Sequence, residues 1–186
     1  MRIRAESREQ ILDIGGKKLI NGYLSIKHFV TSVNLSAPVD TISNVNYVIA
    51  DVTQKLPFLD DQFDVFISPV SLNLIGMGRY YDNIDPKGIP NLILELQRVM
   101  KSDSVMFISL VLGQDRILFS HHFVFSFQTI ETLFHGWKIE NYLVDFQISN
   151  KNQHPNPRFS KNLTYIMKYF SENENIIFLK LVRNIG

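Results

Sequence analysis

The chain has 186 residues, 45% of them hydrophobic, with 19 basic against 18 acidic side chains; this suits one globular domain over residues 1–186 with a substantial core. A net charge of +1 gives no broad pull toward nucleic acid or an anionic membrane, so no nucleic-acid partner is expected. Cysteine is absent, which excludes disulfides, zinc–thiolate centres and a cysteine nucleophile. The charged start, Met1 to Gln10, has no apolar core, and no run of about 18 apolar residues follows, so no membrane span and a cytoplasmic location are expected.

The first element is the apolar strand beginning at Gln10, broken by the pair Gly15–Gly16 and followed by helix-compatible residues from Lys17 to Leu24. His28 to Val33 and Tyr47 to Ala50 read as two further strands, closed by Asn34 and Asp51. Phe63 to Ile67 is a fourth strand. Ile89 to Lys101 reads as a helix with Leu92, Leu96, Val99 and Met100 on its apolar side, and Ser104 to Val111 as a fifth strand. Continuous apolar strands alternating with helices predict a mostly parallel sheet with helices on both faces. Gln128 to His135 is then a short helix. Trp137 to Phe146 and Ile176 to Arg183 are strands without a long crossover between them, expected to pair antiparallel at a sheet edge. Gln147 to Asn162, rich in Asn, Pro and Lys, reads as a loop, while Leu163 to Phe170 is compatible with helix or strand.

Between the fourth strand and its helix lies Gly76 to Gly88, a segment with glycines, aromatics and charges but no hydrophobic period. Open α/β sheets bind ligands on such strand-to-helix loops. Arg79 is able to clamp an anion, although an ion pair with Asp82 or Asp85 would serve the loop's own shape. Tyr80 and Tyr81 either wall a pocket or pin the loop to the core. The turn Asp13-Ile14-Gly15-Gly16 lets backbone approach a ligand but lacks the full Gly-x-Gly-x-x-Gly spacing. Asn34, read on its own, is able to hydrogen-bond a ribose, but an acidic residue grips the two hydroxyls better, and a turn former is the plainer reading. His121 and His122 are adjacent rather than one helical turn apart, with no nearby Glu or Cys to complete a metal set, so no metal is expected; His122 remains a candidate base. Neither Ser68 nor Ser71 lies on a Gly-x-Ser-x-Gly turn, which excludes the serine-hydrolase arrangement. Phe119, Phe123, Phe125 and Phe127 form an aromatic group suited to core or to a contact surface.

The ordered set Asp51, Leu56-Pro57-Phe58 and Phe63-Asp64, followed by Glu95-Leu96-Gln97-Arg98-Val99-Met100-Lys101, resembles class I S-adenosylmethionine-dependent methyltransferases. The loop Gly76-Met77-Gly78-Arg79-Tyr80-Tyr81-Asp82 with Ile84-Asp85-Pro86-Lys87-Gly88 narrows the likeness. With Gly113-Gln114-Asp115-Arg116-Ile117 and Phe119-Ser120-His121-His122, it is similar to the methyltransferase-like domain-of-unknown-function family numbered 268. The resemblance covers roughly residues 10 to 146 and implies a Rossmann-like class I fold: seven strands, mostly parallel, with an antiparallel edge strand. It implies S-adenosylmethionine as cofactor, held by Asp13, Gly15, Gly16, Asn34, Asp51 and Val52, with Asp51 on the adenine and Asn34 in the ribose position. Arg79, Tyr80, Asp82, Asp85 and His122 would face a small-molecule, glycan or macromolecular acceptor, with His122, Asp82 and Arg79 in catalytic roles. Exposure of the Phe119, Phe123, Phe125 and Phe127 group would favour a homo-oligomer or an acceptor with an apolar portion.

Three positions depart from the pattern. Asn34 stands where an Asp is usual, Asn73–Leu74 where a Glu–His pair is usual, and Phe123 where an Arg follows the histidine. Each removes an ionisable group. The alternative to an enzyme is therefore a noncatalytic binding or scaffolding module on the same fold.

Overall fold

The computed structural model describes residues 8–69, 71–79, 82–119, 121–145, 159–160 and 174–183. In chain order the elements are β1 (Gln10–Ile14), α1 (Lys18–Leu24), β2 (Phe29–Asn34), β3 (Val45–Ile49), β4 (Phe63–Ser68), a 3-10 turn (Leu72–Leu74) and α2 (Gly88–Val99). They continue with β5 (Met100–Leu112), β6 (Arg116–Leu118), β7 (His122–Val124), α3 (Phe127–Leu133), β8 (Trp137–Asp145), β9 (Phe159–Ser160) and β10 (Asn175–Arg183). One sheet runs β3-β2-β1-β4-β5-β10-β8-β9, and β6 pairs only with β7.

β3, β2, β1, β4 and β5 are mutually parallel, β10 is antiparallel to both β5 and β8, and the two-residue β9 caps the end. Seven full strands thus form the expected mostly parallel sheet. Its antiparallel strand, β10, lies inside, between β5 and β8. The two residues of β9 fall within the stretch read as loop; a strand that short shows no alternation in sequence. Phe146, most of that stretch, and Leu163 to Phe170 lie outside the described residues.

The helix α2 explains why the sheet holds together at its centre. Ile89, Leu92, Ile93, Leu96 and Val99 recur at three- and four-residue spacing and all are buried. They pack on Leu12, Phe66, Met106 and Ile108 of the sheet's face. Full burial of each large aliphatic side chain is worth roughly 1.5–3 kcal/mol. Pro90 sits in the first turn, where its missing N–H costs no helical bond. The helix ends at Val99, earlier than the sequence pattern predicts. Phe63 pairs with Met100, so the chain turns straight into β5. Lys101 also bonds Asp64 at 2.5 Å instead of completing a helical turn.

The aromatic group of the β6–β7 region divides by position. Phe123 and Phe125 stack at 5.9 Å and join the core, Phe127 meets Tyr142 edge-on, and Phe119 is exposed. No helix among the described residues is long and apolar enough to cross a membrane.

Candidate functional site

The strand order reverses direction of growth between β1 and β4, since β2 and β3 build outward one way and β5 the other. Loops leaving the carboxyl ends of β1 and β4 diverge there and open a crevice. A cleft of about 700 Å³ occupies that position, lined by Gly15 and Lys17 after β1, Asn34 to Val39 after β2, Asp51 to Thr53 after β3, and Ser71, Leu74, Ile75 and Asp82 after β4. Its size is that of small-molecule and cofactor sites generally.

The glycine turn is held from below. Asp13 is fully buried, and its Oδ2 accepts from Asn21 Nδ2 at 2.7 Å and Ser32 Oγ at 2.8 Å. Burial pushes its carboxyl above the usual aspartate range, against these hydrogen bonds. A Cβ on Gly16 would meet Asp13 Oδ1 at 1.9 Å, and one on Gly15 would meet Ser71 Oγ at 1.8 Å. Gly15 also has φ +68°. Both glycines are therefore demanded by the protein's own packing. Asp13 does not line the cleft: as found, it braces the turn beneath Gly16, and Gly16 too lies off the cleft wall.

The other wall is more open. Asp51 Oδ1 accepts from the amide and the hydroxyl of Thr53 at 2.9 and 2.8 Å, which leaves Oδ2 without a protein donor among the described residues. The amide of Val52 likewise has no protein acceptor among them. Asn34 turns its Nδ2 onto the carbonyl and hydroxyl of Ser32, both at 3.2 Å, and its backbone carbonyl accepts from Ala50. Its Oδ1 is the atom left to meet a hydroxyl.

Behind Asp51 the loop to β4 is clamped to α2. Arg98 donates to Glu95, Asp60 and the carbonyls of Leu56 and Phe58, while Glu95 accepts from the amide of Leu56 at 2.8 Å. Hydrogen bonding from Arg98 holds the Glu95 carboxyl below its ordinary range, against a smaller effect of burial. The Glu-Leu-Gln-Arg motif thus reads as a brace for one wall of the cleft.

Of the residues predicted to face an acceptor, Asp82 alone among the described ones lines the cleft. Its Oδ2 accepts from Gly76 N at 2.9 Å. Arg79 reaches the carbonyl of His121 at 3.2 Å, tying the loop to the β6–β7 hairpin, and Asp85 accepts from the amide of Lys87. Neither faces the cleft. Tyr80 and Tyr81 lie outside the described residues. His122 is also off the cleft wall; its Nε2 bonds Glu174 Oε2 at 2.8 Å, and Arg116 holds the other oxygen at 3.0 Å. Burial would raise the Glu174 carboxyl, but the hydrogen bonds and charges of His122 and Arg116 keep it below the usual range.

Sequence reading missed Glu174, which lies 52 residues from its histidine, and it missed Lys17. The adjacency of Lys17 to the glycine pair was the available signal. Asn73, which departs from the family pattern, is buried and bridges Phe123 O and Val111 N, joining the 3-10 turn to β7 and β5. No cluster of three or more metal-ligating side chains occurs among the described residues.

Strand order, cleft and glycine turn together define a class I methyltransferase fold, and solved structures agree. A putative methyltransferase from Bacillus halodurans superposes with TM-score 0.64 at 14% identity, over 96% of this chain and 94% of its own. The Burkholderia thailandensis 1,6-didemethyltoxoflavin-N1-methyltransferase, solved with bound 1,6-didemethyltoxoflavin and S-adenosylhomocysteine, gives 0.62 at 13%, over 95% and 72%. The [4+2]-cyclase SpnF gives 0.61 at 12%, over 98% and 77%. The chain belongs to the family described as Caenorhabditis protein of unknown function, DUF268, whose model matches residues 17–180. Among curated proteins none matches the chain.

Proposed function

We propose that the cleft binds S-adenosylmethionine and that the chain is a methyltransferase-like protein. The observation that carries this reading is the placement of Gly15, Asn34, Asp51 and Val52 on one cleft at the β1–β4 switch point. The free Asp51 Oδ2 suits the adenine amino group, the Val52 amide suits a ring nitrogen, and Asn34 Oδ1 suits a ribose hydroxyl. Asp13 and Gly16 act indirectly, by fixing the turn that Gly15 presents. When bound, the cofactor supplies an electrophilic methyl group. The protein's part is to hold the acceptor in line with it and to exclude water. Asp82 is the ionisable side chain placed on the cleft at its β4 side, and in this reading it orients the acceptor or receives its proton.

A second reading, a noncatalytic binding module, is favoured by the engagement of Arg79, Asp85 and His122 with the protein's own groups. The fold itself leaves both open, since one fold hosts many chemistries. Calorimetric titration with S-adenosylmethionine and S-adenosylhomocysteine tests the cofactor reading. Saturable binding is expected, with Asp51→Ala weakening it about tenfold or more, the cost of an unpaired polar group on the ligand. Equal affinity of the variant and the parent would refute the assignment. Methyl transfer by the purified protein separates enzyme from binding module.

A further inference from the structure

This inference rests on the cofactor reading above. Three side chains on the cleft wall carry formal charge: Lys17, Asp51 and Asp82. The two acids are fixed by protein donors, Asp51 by Thr53 and Asp82 by Gly76. Lys17 differs. It precedes α1 in an extended conformation and its carbonyl accepts from the amides of Ile20 and Asn21, but its exposed side chain bonds no described residue, whereas its neighbour Lys18 pairs with Asp40 at 3.5 Å.

Lys17 stands two residues after Gly15, where a Gly-x-Gly turn would place its second glycine and leave empty space. Gly15 and Gly16 are required by packing, so the position left to address a ligand is filled by a long cation. Its place in the sheet says which part of the ligand it meets. Asp51 follows β3, Asn34 ends β2 and Lys17 follows β1, so cation and adenine acceptor are two strand spacings apart, roughly 9–10 Å. An adenosine seated on Asp51 and Asn34 directs its 5′ substituent toward β1. One cation against two carboxylates makes the wall net acidic, which opposes a polyphosphate and suits a ligand with one carboxylate and excess positive charge.

We propose that Lys17 binds the α-carboxylate of the methionyl group and so selects adenosyl ligands that carry an amino acid over truncated ones. The test is calorimetric titration of the parent chain, Lys17→Met and Lys17→Arg with S-adenosylhomocysteine and with 5′-methylthioadenosine, which lacks the amino acid. Methionine keeps the apolar stem and removes the charge, and thermal midpoints verify that the variants fold. The expected result is about tenfold weaker S-adenosylhomocysteine binding by Lys17→Met, unchanged 5′-methylthioadenosine binding, and recovery in Lys17→Arg. Undiminished S-adenosylhomocysteine affinity in Lys17→Met, or equal loss of both ligands in a folded variant, overturns the Lys17 assignment and leaves the cofactor reading standing. A parent chain that binds neither ligand overturns both.

Discussion

Glycine beside a nucleotide-type cleft is usually credited to the ligand, yet here the contacts lie inside the protein. Asp13 sits under Gly16 with both hydrogen bonds of its Oδ2 directed to buried neighbours, Asn21 and Ser32, so it has nowhere to retreat from an added methyl group. Gly16→Ala should therefore cost about 1–3 kcal/mol of stability through overpacking. Urea unfolding reads this directly. A variant as stable as the parent but unable to bind ligand would return the glycine to the ligand's account. Ser71, opposite Gly15, adds a cross-link, since its hydroxyl donates to the Gly15 carbonyl at 3.1 Å and so couples the ends of β1 and β4. The same residue-scale view explains why an amide suits position 73: Asn73 both donates and accepts, a pairing a carboxylate cannot make.

At the scale of elements, the loop from Asp51 to Phe63 depends on α2. Arg98 is a planar fork whose donors reach two carboxylates and two carbonyls at 2.7 to 3.1 Å. Lysine retains the charge but not the fork. Arg98→Lys should lose about 2–3 kcal/mol, because Leu56 O and Phe58 O are left short of donors in a partly buried place. It should also weaken S-adenosylhomocysteine binding, since the Asp51 wall loses its backing; chemical denaturation and calorimetry on one preparation measure both. Loss of neither would show the clamp to be redundant. This brace was half legible in sequence. Glu95 and Arg98 stand three apart on a patterned helix, but their loop partners, 38 to 42 residues away, obey no local rule. The hairpin β6–β7 escaped for a related reason: its strands of three residues are too short to alternate, and Asp115 is recognisable as a support for the N-cap of α3, Ser126, only once the hairpin brings it to Ser126 and Thr129.

Across the whole molecule, legibility followed locality. Residues that close a strand, such as Gly15, Asn34 and Asp51, are placed by the rule that ligands meet parallel strands at their carboxyl ends, so their position on the cleft could be read from the chain, whereas Asp13 and Gly16, one layer beneath, could not be told from cleft residues. The side chains of the glycine-rich loop and the β6–β7 hairpin were not readable in that way. Arg79 and His122 are directed by packing between the loop, the hairpin and Glu174, and they meet protein groups instead of the cleft. The same long-range placement sets an acid–base signature for the fold. Glu95, Asp115 and Glu174 are held below their ordinary ranges, so each contributes stability above the unfolded-state pKa of about 4 that is lost as pH falls through its folded value. Asp13 is shifted the other way by burial: its protonation favours the folded state, and that contribution is present below the unfolded value and lost as pH rises through the raised one. Stability should therefore rise as pH is lowered from neutral into the range where buried Asp13 takes up its proton, then fall below about pH 4 as the three paired carboxylates are neutralised. Asp13→Asn keeps an acceptor for Asn21 and Ser32 while removing the titration. It should abolish the rise and retain the fall. Urea midpoints for parent and variant across this range decide the matter, and a variant whose curve keeps the rise would show that another group produces it.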